Sequence, residues 1–350
     1  MAYKILILGA SYGSLLGTKL LMAGHDVTLV CRAATADLIN AEGTDVRIKL
    51  RGEDSHRAIL SGDQPGRLDA LPPGRVTVED YDMVALAMAE PQYGTEDIRD
   101  LLQRIAAARI PCLSIMNMPP LPYLHRIPGI DADALKSSYS SPEVWAGFDP
   151  DLVTLCSPDP QAFRLPDEKA NVLFVGLPTN FKAATFADEA HNRILNRLAD
   201  DIAAVRLDGA DVPVKLRVHE SLFVPFAKWS MLLTGNYRCV LPTGVQPICE
   251  AVHGDIGASE QMYRHIDGIV QKLGAEDADK VPFDKYAAAA KGLLKPSSVA
   301  RAIDAGADYV ERVDLLVKLI ADQVGLSHPM IDQVVATVDG RIAYNRSAAA

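Results

Sequence analysis

A glycine-rich turn near the start of the chain has residue types suited to binding a dinucleotide phosphate. An apolar run at residues 4–8 leads directly into Gly9, and glycine returns at positions 13 and 17. Such a site needs glycine for a tight bend and for close backbone approach, followed by a helix whose N-terminus faces the phosphates. The spacing is GxxxGxxxG instead of GxGxxG, and the alternative is a strand–helix turn without a ligand. Its position after an apolar strand favours dinucleotide binding. The predicted cofactor residues of the turn are Gly9, Ala10, Ser11, Tyr12 and Gly13.

A basic residue follows the second predicted strand, residues 27–30. A site that prefers NAD usually has Asp or Glu here, which accepts a hydrogen bond from the ribose 2′-hydroxyl. The chain has Cys31 and Arg32 instead, and its next acid is Asp37. The Arg32 guanidinium offers paired donors to a 2′-phosphate; the alternative is a solvated surface arginine. The sequence therefore predicts NADP(H) as the cofactor.

Lys228 lies in an apolar, helix-like segment, residues 223–233, where a solvated charge is unexpected. On a helix, Lys228, Leu232 and Asn236 share one face. Hydride reduction of a ketone leaves a developing alkoxide, which needs a proton donor within hydrogen-bond reach. Because burial favours release of an ammonium proton, Lys228 is a candidate general acid. The alternative is a lysine whose stem packs while its head reaches water.

Alternating strand and helix patterns predict the elements that position these residues. Strands at 4–8, 27–30, 82–88 and 111–116 alternate with helices at 14–23 and 95–108, which indicates a parallel, doubly wound sheet. A strand at 172–175 and a helix at 191–205 follow, and then helices dominate, at 221–237, 259–272, 298–305 and 309–324. The predicted fold is α/β: a Rossmann-type dinucleotide-binding domain at residues 1–215 and an all-helical substrate and catalytic domain at residues 216–350.

Composition argues against several classes of protein. The formal net charge of the 350 residues is −10 with no basic run, which disfavours nucleic-acid and anionic-membrane surfaces. No stretch approaches the roughly 20 apolar residues of a membrane span, and glycines interrupt the first apolar run too early for a signal peptide. Five cysteines without CxxC spacing indicate reduced thiols and a cytoplasmic location. Scattered histidines and the lack of a GxSxG motif predict neither a metal site nor a hydrolase.

Residues 8–32, LGASYGSLLGTKLLMAGHDVTLVCR, resemble the opening of the ketopantoate reductase family. That family has a GAGAIGSLLG-like turn, then GHDVTLV, then an arginine that binds the NADP 2′-phosphate. Further similarities follow in the family's order. They are the strand at 82–88, Met116-Asn117-Met118 in place of Gln-Asn-Gly, Lys228 at the catalytic lysine, the Ser-Ser…Glu-like segment 295–314, and VGLSHP at 324–329.

The resemblance implies an NADPH-dependent reductase of a small ketone or 2-keto acid. Lys228 would donate the proton, while Asn236, Ser298 and Glu311 would contact the substrate. The spacing between Ser298 and Glu311 is one residue longer than in the family, and the alternative for Glu311 is an exposed helix acid paired with a nearby base. The family also favours a homodimer. The remaining cofactor residues implied are Ala87, Met88 and Asn117, the last with a turn-forming role as its alternative.

Three departures from the family pattern predict a changed substrate. The glycine turn is one residue shorter, Glu90 occurs where the family has a lysine, and Leu232 replaces a substrate-binding asparagine. Glu90 would oppose an anionic substrate, and Leu232 would add an apolar wall, so ketopantoate itself is not the expected substrate. Two other functions stay open: an opine- or imine-type dehydrogenase, and a non-catalytic NADP-binding sensor.

Overall fold

The computed structural model describes residues 2–349, which form two compact units. The first unit comprises Met1–Met88, Gln92–Tyr123 and Glu143–Glu220, and the second comprises Ala89–Pro91, Leu124–Pro142 and Ser221–Ala350. The ranges predicted from sequence are contiguous, whereas two short early segments lie in the second unit. The segment 124–142 has no strand periodicity. Its 3₁₀ turn, Asp133–Ser138, packs against the helix Val313–Gln323 of the same unit.

Fourteen strands, all in the first unit, form an eight-stranded sheet, a four-stranded sheet and a short hairpin. They are β1 (Lys4–Leu8), β2 (Asp26–Val30), β3 (Asp45–Ile48), β4 (Arg57–Leu60), β5 (Leu68–Leu71), β6 (Met83–Leu86), β7 (Cys112–Ile115), β8 (Val153–Ser157), β9 (Gln161–Phe163), β10 (Val172–Leu177), β11 (Phe181–Ala184), β12 (Arg206–Leu207), β13 (Ala210–Asp211) and β14 (Leu216–His219).

The large sheet has the order β14-β11-β8-β7-β6-β1-β2-β5. Neighbouring strands from β8 to β5 are parallel, and β11 is antiparallel to β8. The central strands β6 and β7 are buried along their whole length, as expected for strands covered on both faces. The strand predicted at 4–8 is confirmed residue for residue, and the predicted doubly wound fold with a helical C-terminal region is confirmed.

Helices of the first unit cover this sheet with apolar faces. In α3 the buried side chains are Ile98, Leu101, Leu102 and Ile105, a spacing that places them on one side of the helix. The helices of the first unit are α1 (Tyr12–Met22), α2 (Ala33–Glu42), α3 (Glu96–Ala107) and α5 (Glu189–Ala204), with α4 (Leu121–Leu124) at a boundary between the units.

The second unit is helical; among its described residues the only β pairing is a single bridge between Val240 and Val245. Its longest internal helix, α8, begins where the Asp255 carboxylate accepts the Ala258 N–H at 2.9 Å, and ends at Gly274, whose φ is +122°. The helices are α6 (Ala227–Met231), α7 (Ile248–His253), α8 (Ile256–Leu273), α9 (Phe283–Ala290), α10 (Ser298–Asp304), α11 (Val313–Gln323) and α12 (Pro329–Ala349).

Two predicted helices differ from the structure. The helix predicted at 221–237 is a mixed run: a 3₁₀ turn at Val224–Phe226, then α6, a π-helical turn at Leu232–Asn236 and a 3₁₀ turn at Tyr237–Cys239. The prediction that a helix begins at residue 309 is wrong, because α11 begins only at Val313. Arg312 precedes it with non-helical angles, φ −112° and ψ 52°. Among residues 2–349, no helix combines the length and apolar character needed to cross a bilayer.

Candidate functional site

Four adjacent parallel strands bring the predicted cofactor residues to one edge of the large sheet. Leu8 at the end of β1 pairs with Val30 of β2 and with Leu86 of β6, which in turn pairs with Ser114 of β7. The chain passes from β1 to β2 on one side and later continues to β6 on the other. Ligands of open α/β sheets bind beyond the carboxyl ends of strands where the order reverses in this way.

Gly9 occupies a position that no other residue could adopt without strain. Its φ is +104°, and a Cβ would lie 2.7 Å from the Ala87 carbonyl oxygen and 2.8 Å from the Met88 Cγ. The Gly9 N–H donates to the Val30 carbonyl at 2.9 Å, which fixes the turn on the end of β2. The predicted tight bend after β1 is therefore present, and the end of β6 forms its opposite wall.

The other two glycines of the turn serve packing of α1 on the sheet. A Cβ on Gly13 would lie 2.7 Å from the Ile7 Cγ2, and one on Gly17 would lie 3.3 Å from the Val27 Cγ1. Ser11 and the residues beside it are therefore the part of the turn that would lie nearest to a bound phosphate. Ser11 is exposed and its side chain makes no capping hydrogen bond within the described residues, while the Ser14 N–H donates to the Ser11 carbonyl at 3.0 Å. A helix N-terminus without a side-chain cap suits an anion.

Arg32 and Asn117 have polar groups that are available to a ligand. Arg32 directly follows β2 and is exposed, and no carboxylate of residues 2–349 pairs with its guanidinium. Asn117 follows β7; its Oδ1 is buried and has no hydrogen-bond partner among the described residues. Because buried amide oxygens are nearly always hydrogen-bonded in folded proteins, this one fits a donor supplied by a ligand.

The helical run of the second unit contains Lys228, Leu232 and Asn236. Lys228 and Asn236 are half-buried, whereas Leu232 is 5% exposed and provides the apolar surface predicted from the sequence. The π-helical turn begins at Leu232. A turn closed between residues five apart rotates less per residue than an α-helix, so Asn236 lies closer to the side of the run that holds Lys228.

Ser297, the neighbour of the predicted substrate residue Ser298, contacts the Asn236 segment. The Ser297 hydroxyl donates to the Asn236 carbonyl at 2.7 Å and accepts the Ala300 N–H at 3.2 Å as the N-cap of α10. Ser298 is exposed in the first turn of that helix. The Ser-Ser pair was visible in the sequence, but which serine lies inward depends on where α10 begins.

Glu311 precedes α11 and is held by residues that sequence analysis did not identify. The Tyr237 hydroxyl donates to the Glu311 carbonyl at 2.6 Å and accepts the Val313 N–H at 3.0 Å. Burial, followed by the charges of Asp314 and Glu311, raises the pKa of Tyr237 far above its usual value, so its hydroxyl stays protonated. Glu311 lies before α11 and is half-buried, so it is not an exposed acid of that helix.

The basic residues that follow Glu311 in the sequence form ion pairs with other acids. Arg312 pairs with Asp314 at 3.0 Å and Asp339 at 2.6 Å, while Lys318 pairs with residues of α11 and α12.

Glu90 is a structural acid of the second unit. The residue is 1% exposed, and its carboxylate accepts the Ser140 N–H at 3.0 Å and the Ser140 hydroxyl at 2.9 Å. The Glu90 N–H donates to the Glu311 Oε1 at 3.1 Å. The expectation that Glu90 opposes an anionic substrate is not supported by this burial; its backbone positions the Glu311 carboxylate instead.

A separate cavity of about 760 Å³ lies between α8 and α9 and is lined by none of the predicted site residues. Four of its charged groups pair with one another: Arg264 with Glu260 at 2.6 Å, and Lys280 with Asp277 at 2.8 Å. The Asp267 carboxylate accepts the Ser230 hydroxyl at 2.5 Å.

Comparison with known proteins supports the resemblance found in the sequence. Residues 5–117 match the family model described as ketopantoate reductase PanE/ApbA. No curated protein matches the chain significantly. The match covers the strands that hold the glycine turn, Arg32, Ala87 and Asn117, and it confirms the predicted similarity for this part of the chain.

Solved structures share the fold over nearly the full length. A putative ketopantoate reductase from Ralstonia solanacearum MolK2 is 16% identical with a TM-score of 0.65, covering 99% of each chain. A D-mandelate dehydrogenase solved with NADH and anilino(oxo)acetate is 15% identical with a TM-score of 0.64, covering 98% of this chain and 99% of that one. A probable 2-dehydropantoate 2-reductase from Bacillus subtilis is 15% identical with a TM-score of 0.62, covering 97% and 99%. At these identities the similarity establishes the fold.

Proposed function

We propose that this chain, a divergent relative of the ketopantoate reductase family, is an NADPH-dependent reductase of a small 2-keto acid or related ketone. The observation that supports this most strongly is the shared edge of β2, β1, β6 and β7. Four features occur together there: a glycine-only turn, a helix N-terminus without a side-chain cap, an Arg32 without a carboxylate partner among residues 2–349, and an Asn117 oxygen without a hydrogen-bond partner among them. Each of these features suits a different part of a dinucleotide.

The residues of this edge fit the cofactor. Gly9 leaves the room that a Cβ would fill, and the first turn of α1 offers N–H groups to the pyrophosphate. Arg32 would bind the 2′-phosphate, and the Asn117 Oδ1 would accept a hydrogen bond from the nicotinamide ribose. When bound, the nicotinamide supplies the hydride. The arginine is the reason for preferring NADP over the NADH found in the D-mandelate dehydrogenase structure.

The second unit would hold the substrate and supply the proton. The Lys228 ammonium donates its proton to the carbonyl oxygen as negative charge develops there. Asn236 and the Glu311 carboxylate bind polar groups of the substrate, and Ser298 or its buried neighbour Ser297 contacts its carboxylate. Leu232 replaces a polar contact with an apolar one, which favours a substrate that is less polar at that point.

Binding and turnover separate this proposal from its rivals. NADPH and NADH are titrated by cofactor fluorescence, and NADPH oxidation is then followed with a panel of 2-keto acids that includes ketopantoate. We expect tighter binding of NADPH, turnover of a keto acid with an apolar side chain, and weak turnover of ketopantoate. Efficient turnover of ketopantoate would contradict the inferred change of substrate, and failure to bind either dinucleotide would overturn the reductase assignment.

Replacing Lys228 tests the proton donor. Lys228→Ala should lower kcat by at least about 100-fold, because a positioned general acid contributes roughly that much, while the Kd of NADPH stays unchanged. Lys285→Ala, at an exposed lysine of α9, is the matched control and should retain full turnover. Equal loss of kcat in both variants, or no loss in either, would exclude the catalytic role. Reductive amination of the keto acid by an amino acid would indicate the opine-type alternative.

A further inference from the structure

A second arginine reaches the glycine turn from a distant part of the sequence. Arg164 follows β9, the edge strand of the four-stranded sheet, whose order is β4-β3-β10-β9. Its Nη2 donates to the Ala10 carbonyl oxygen at 2.6 Å, and the Ser14 hydroxyl donates to the same oxygen at 2.6 Å. The Arg164 guanidinium is thereby fixed at the turn, with its remaining N–H groups available.

The surroundings of Arg164 contain positive charge and no counterion. Burial lowers the pKa of Arg164, the neighbouring Cys31 raises it, and the positive charge of Arg32 lowers it by a smaller amount. The pKa of the Cys31 thiol is raised by burial to about 11, so this sulfur stays neutral at physiological pH. Within residues 2–349, no carboxylate pairs with either Arg164 or Arg32. Both arginines are exposed in this structure, and an anion that contacts both guanidinium groups would form charge-assisted hydrogen bonds with each.

Several other arginines of the first unit pair with an acid. Arg47 pairs with Asp45 at 2.9 Å, Arg57 with Glu53 at 2.8 Å, and Arg109 with a carboxylate at 2.7 Å. Each of these arginines has an acid supplied by the chain itself. Arg164 and Arg32 have no such partner among residues 2–349, so their charges are available to an external anion.

We propose that Arg164 is a specificity-determining residue that binds the 2′-phosphate of NADPH together with Arg32. The inference rests on the proposed function above. Arg32 follows β2, where the group on the ribose 2′ position is recognised in this fold, whereas the pyrophosphate faces the N-terminus of α1. A phosphate monoester carries a charge of about −1.5 to −2 at neutral pH, which two guanidinium groups balance.

The second sheet explains how Arg164 reaches this position. Phe163 pairs with Phe174 of β10, and β10 is parallel to β3, which follows α2 directly in the chain. The small sheet is thus attached beside the element that begins at Arg32. On this account the four-stranded sheet positions Arg164 at the adenosine end of the cofactor. Part of the preference for NADP would then depend on a residue outside 5–117.

Binding measurements with both dinucleotides test the inference. In Arg164→Gln, the Kd of NADPH should rise by about 10- to 100-fold, the effect of losing a charged hydrogen bond, while the Kd of NADH changes by less than about twofold. Adenosine 2′-monophosphate should lose its ability to compete with NADPH, and adenosine 5′-monophosphate should compete as in the wild type. Arg193→Gln, at an exposed arginine of α5, is the matched control and should leave every Kd unchanged.

The outcomes separate this inference from the proposed function. If Arg164→Gln weakens NADPH and NADH equally, Arg164 acts on the pyrophosphate or only supports the turn, and the inference is wrong. An unchanged Kd for NADPH would also overturn it, while leaving the reductase proposal intact. If the wild-type chain binds neither dinucleotide, both fail together. A thermal unfolding curve of Arg164→Gln that overlays the wild type would show that a selective loss of NADPH arises from the phosphate contact.

Discussion

Replacing Lys19 with methionine should flatten the pH dependence of the free energy of unfolding above neutral pH. Lys19 lies on α1 and is 1% exposed, and its Nζ donates to the carbonyls of Pro213 at 3.1 Å and Val212 at 3.4 Å. Burial, followed by the charge of Lys215, lowers its pKa from 10.5 to about 7, against the opposing charge of Asp211. A protonated lysine is therefore poorly accommodated in this helix.

The size and sign of the effect follow from the difference between the pKa of Lys19 in the folded chain and its ordinary value. Below about pH 7, Lys19 is protonated in both the folded and the unfolded chain, so it contributes no pH dependence. Between about pH 7 and 10.5, the unfolded chain binds a proton that the folded chain does not, so the free energy of unfolding rises with pH. The full pKa difference corresponds to a change of about 5 kcal/mol in the free energy of unfolding, and about 3 kcal/mol of this change develops between about pH 7 and pH 9.5.

Urea unfolding at several pH values measures this contribution directly. The free energy of the wild type minus that of Lys19→Met should rise by about 3 kcal/mol from about pH 7 to pH 9.5, since the other groups cancel in the difference. Lys49→Met, at an exposed lysine of the same unit, should give a curve parallel to the wild type. A Lys19→Met curve that also runs parallel to the wild type would refute the argument that the buried ammonium is destabilising.

Two further substitutions test the turn after β1 and the buried acid Glu90, whose N–H donates to Glu311. Gly9→Ala should lower the free energy of unfolding by about 2–5 kcal/mol, from positive-φ strain and a clash with the end of β6, and should abolish NADPH binding. Gly52 also has a positive φ, +84°, but open space around its Cα, so a loss in Gly52→Ala as large as that in Gly9→Ala would contradict the clash. Ser140→Ala removes the hydroxyl that donates to the buried Glu90 carboxylate and leaves the backbone N–H donor, and it should cost about 1–3 kcal/mol in urea unfolding. A cost below about 1 kcal/mol would show that Glu90 is solvated or protonated in the folded state.

Local sequence patterns predicted the part of the fold that depends on neighbours in the chain. The β1–α1–β2 unit is visible because a short apolar run, a glycine turn and a helical period follow one another within about 30 residues. The position of Arg32 at the end of β2 follows from the same pattern. These features agree with the structure to within two residues at most boundaries.

Features that depend on distant contacts could not be predicted in this way. Arg164 is more than a hundred residues from Ala10 in sequence, and only the second sheet brings the two together. The burial of Glu90 depends on Ser140, and its sequence position alone suggested an exposed charge near the substrate. The π-helical turn at residues 232–236 was also hidden, since apolar spacing of three to four residues does not distinguish a π turn from an α-helix.

Hydride transfer itself provides the most direct test of the central claim. The wild-type chain is incubated with NADPH deuterated at the transferring position of the nicotinamide and with the best keto acid from the panel, and the product is analysed by mass spectrometry and NMR. The account predicts a 2-hydroxy acid with one deuterium at the former carbonyl carbon, and no deuterated product from Lys228→Ala in the same time. Product without deuterium at that carbon, or NADPH binding without reduction of any ketone, would contradict it.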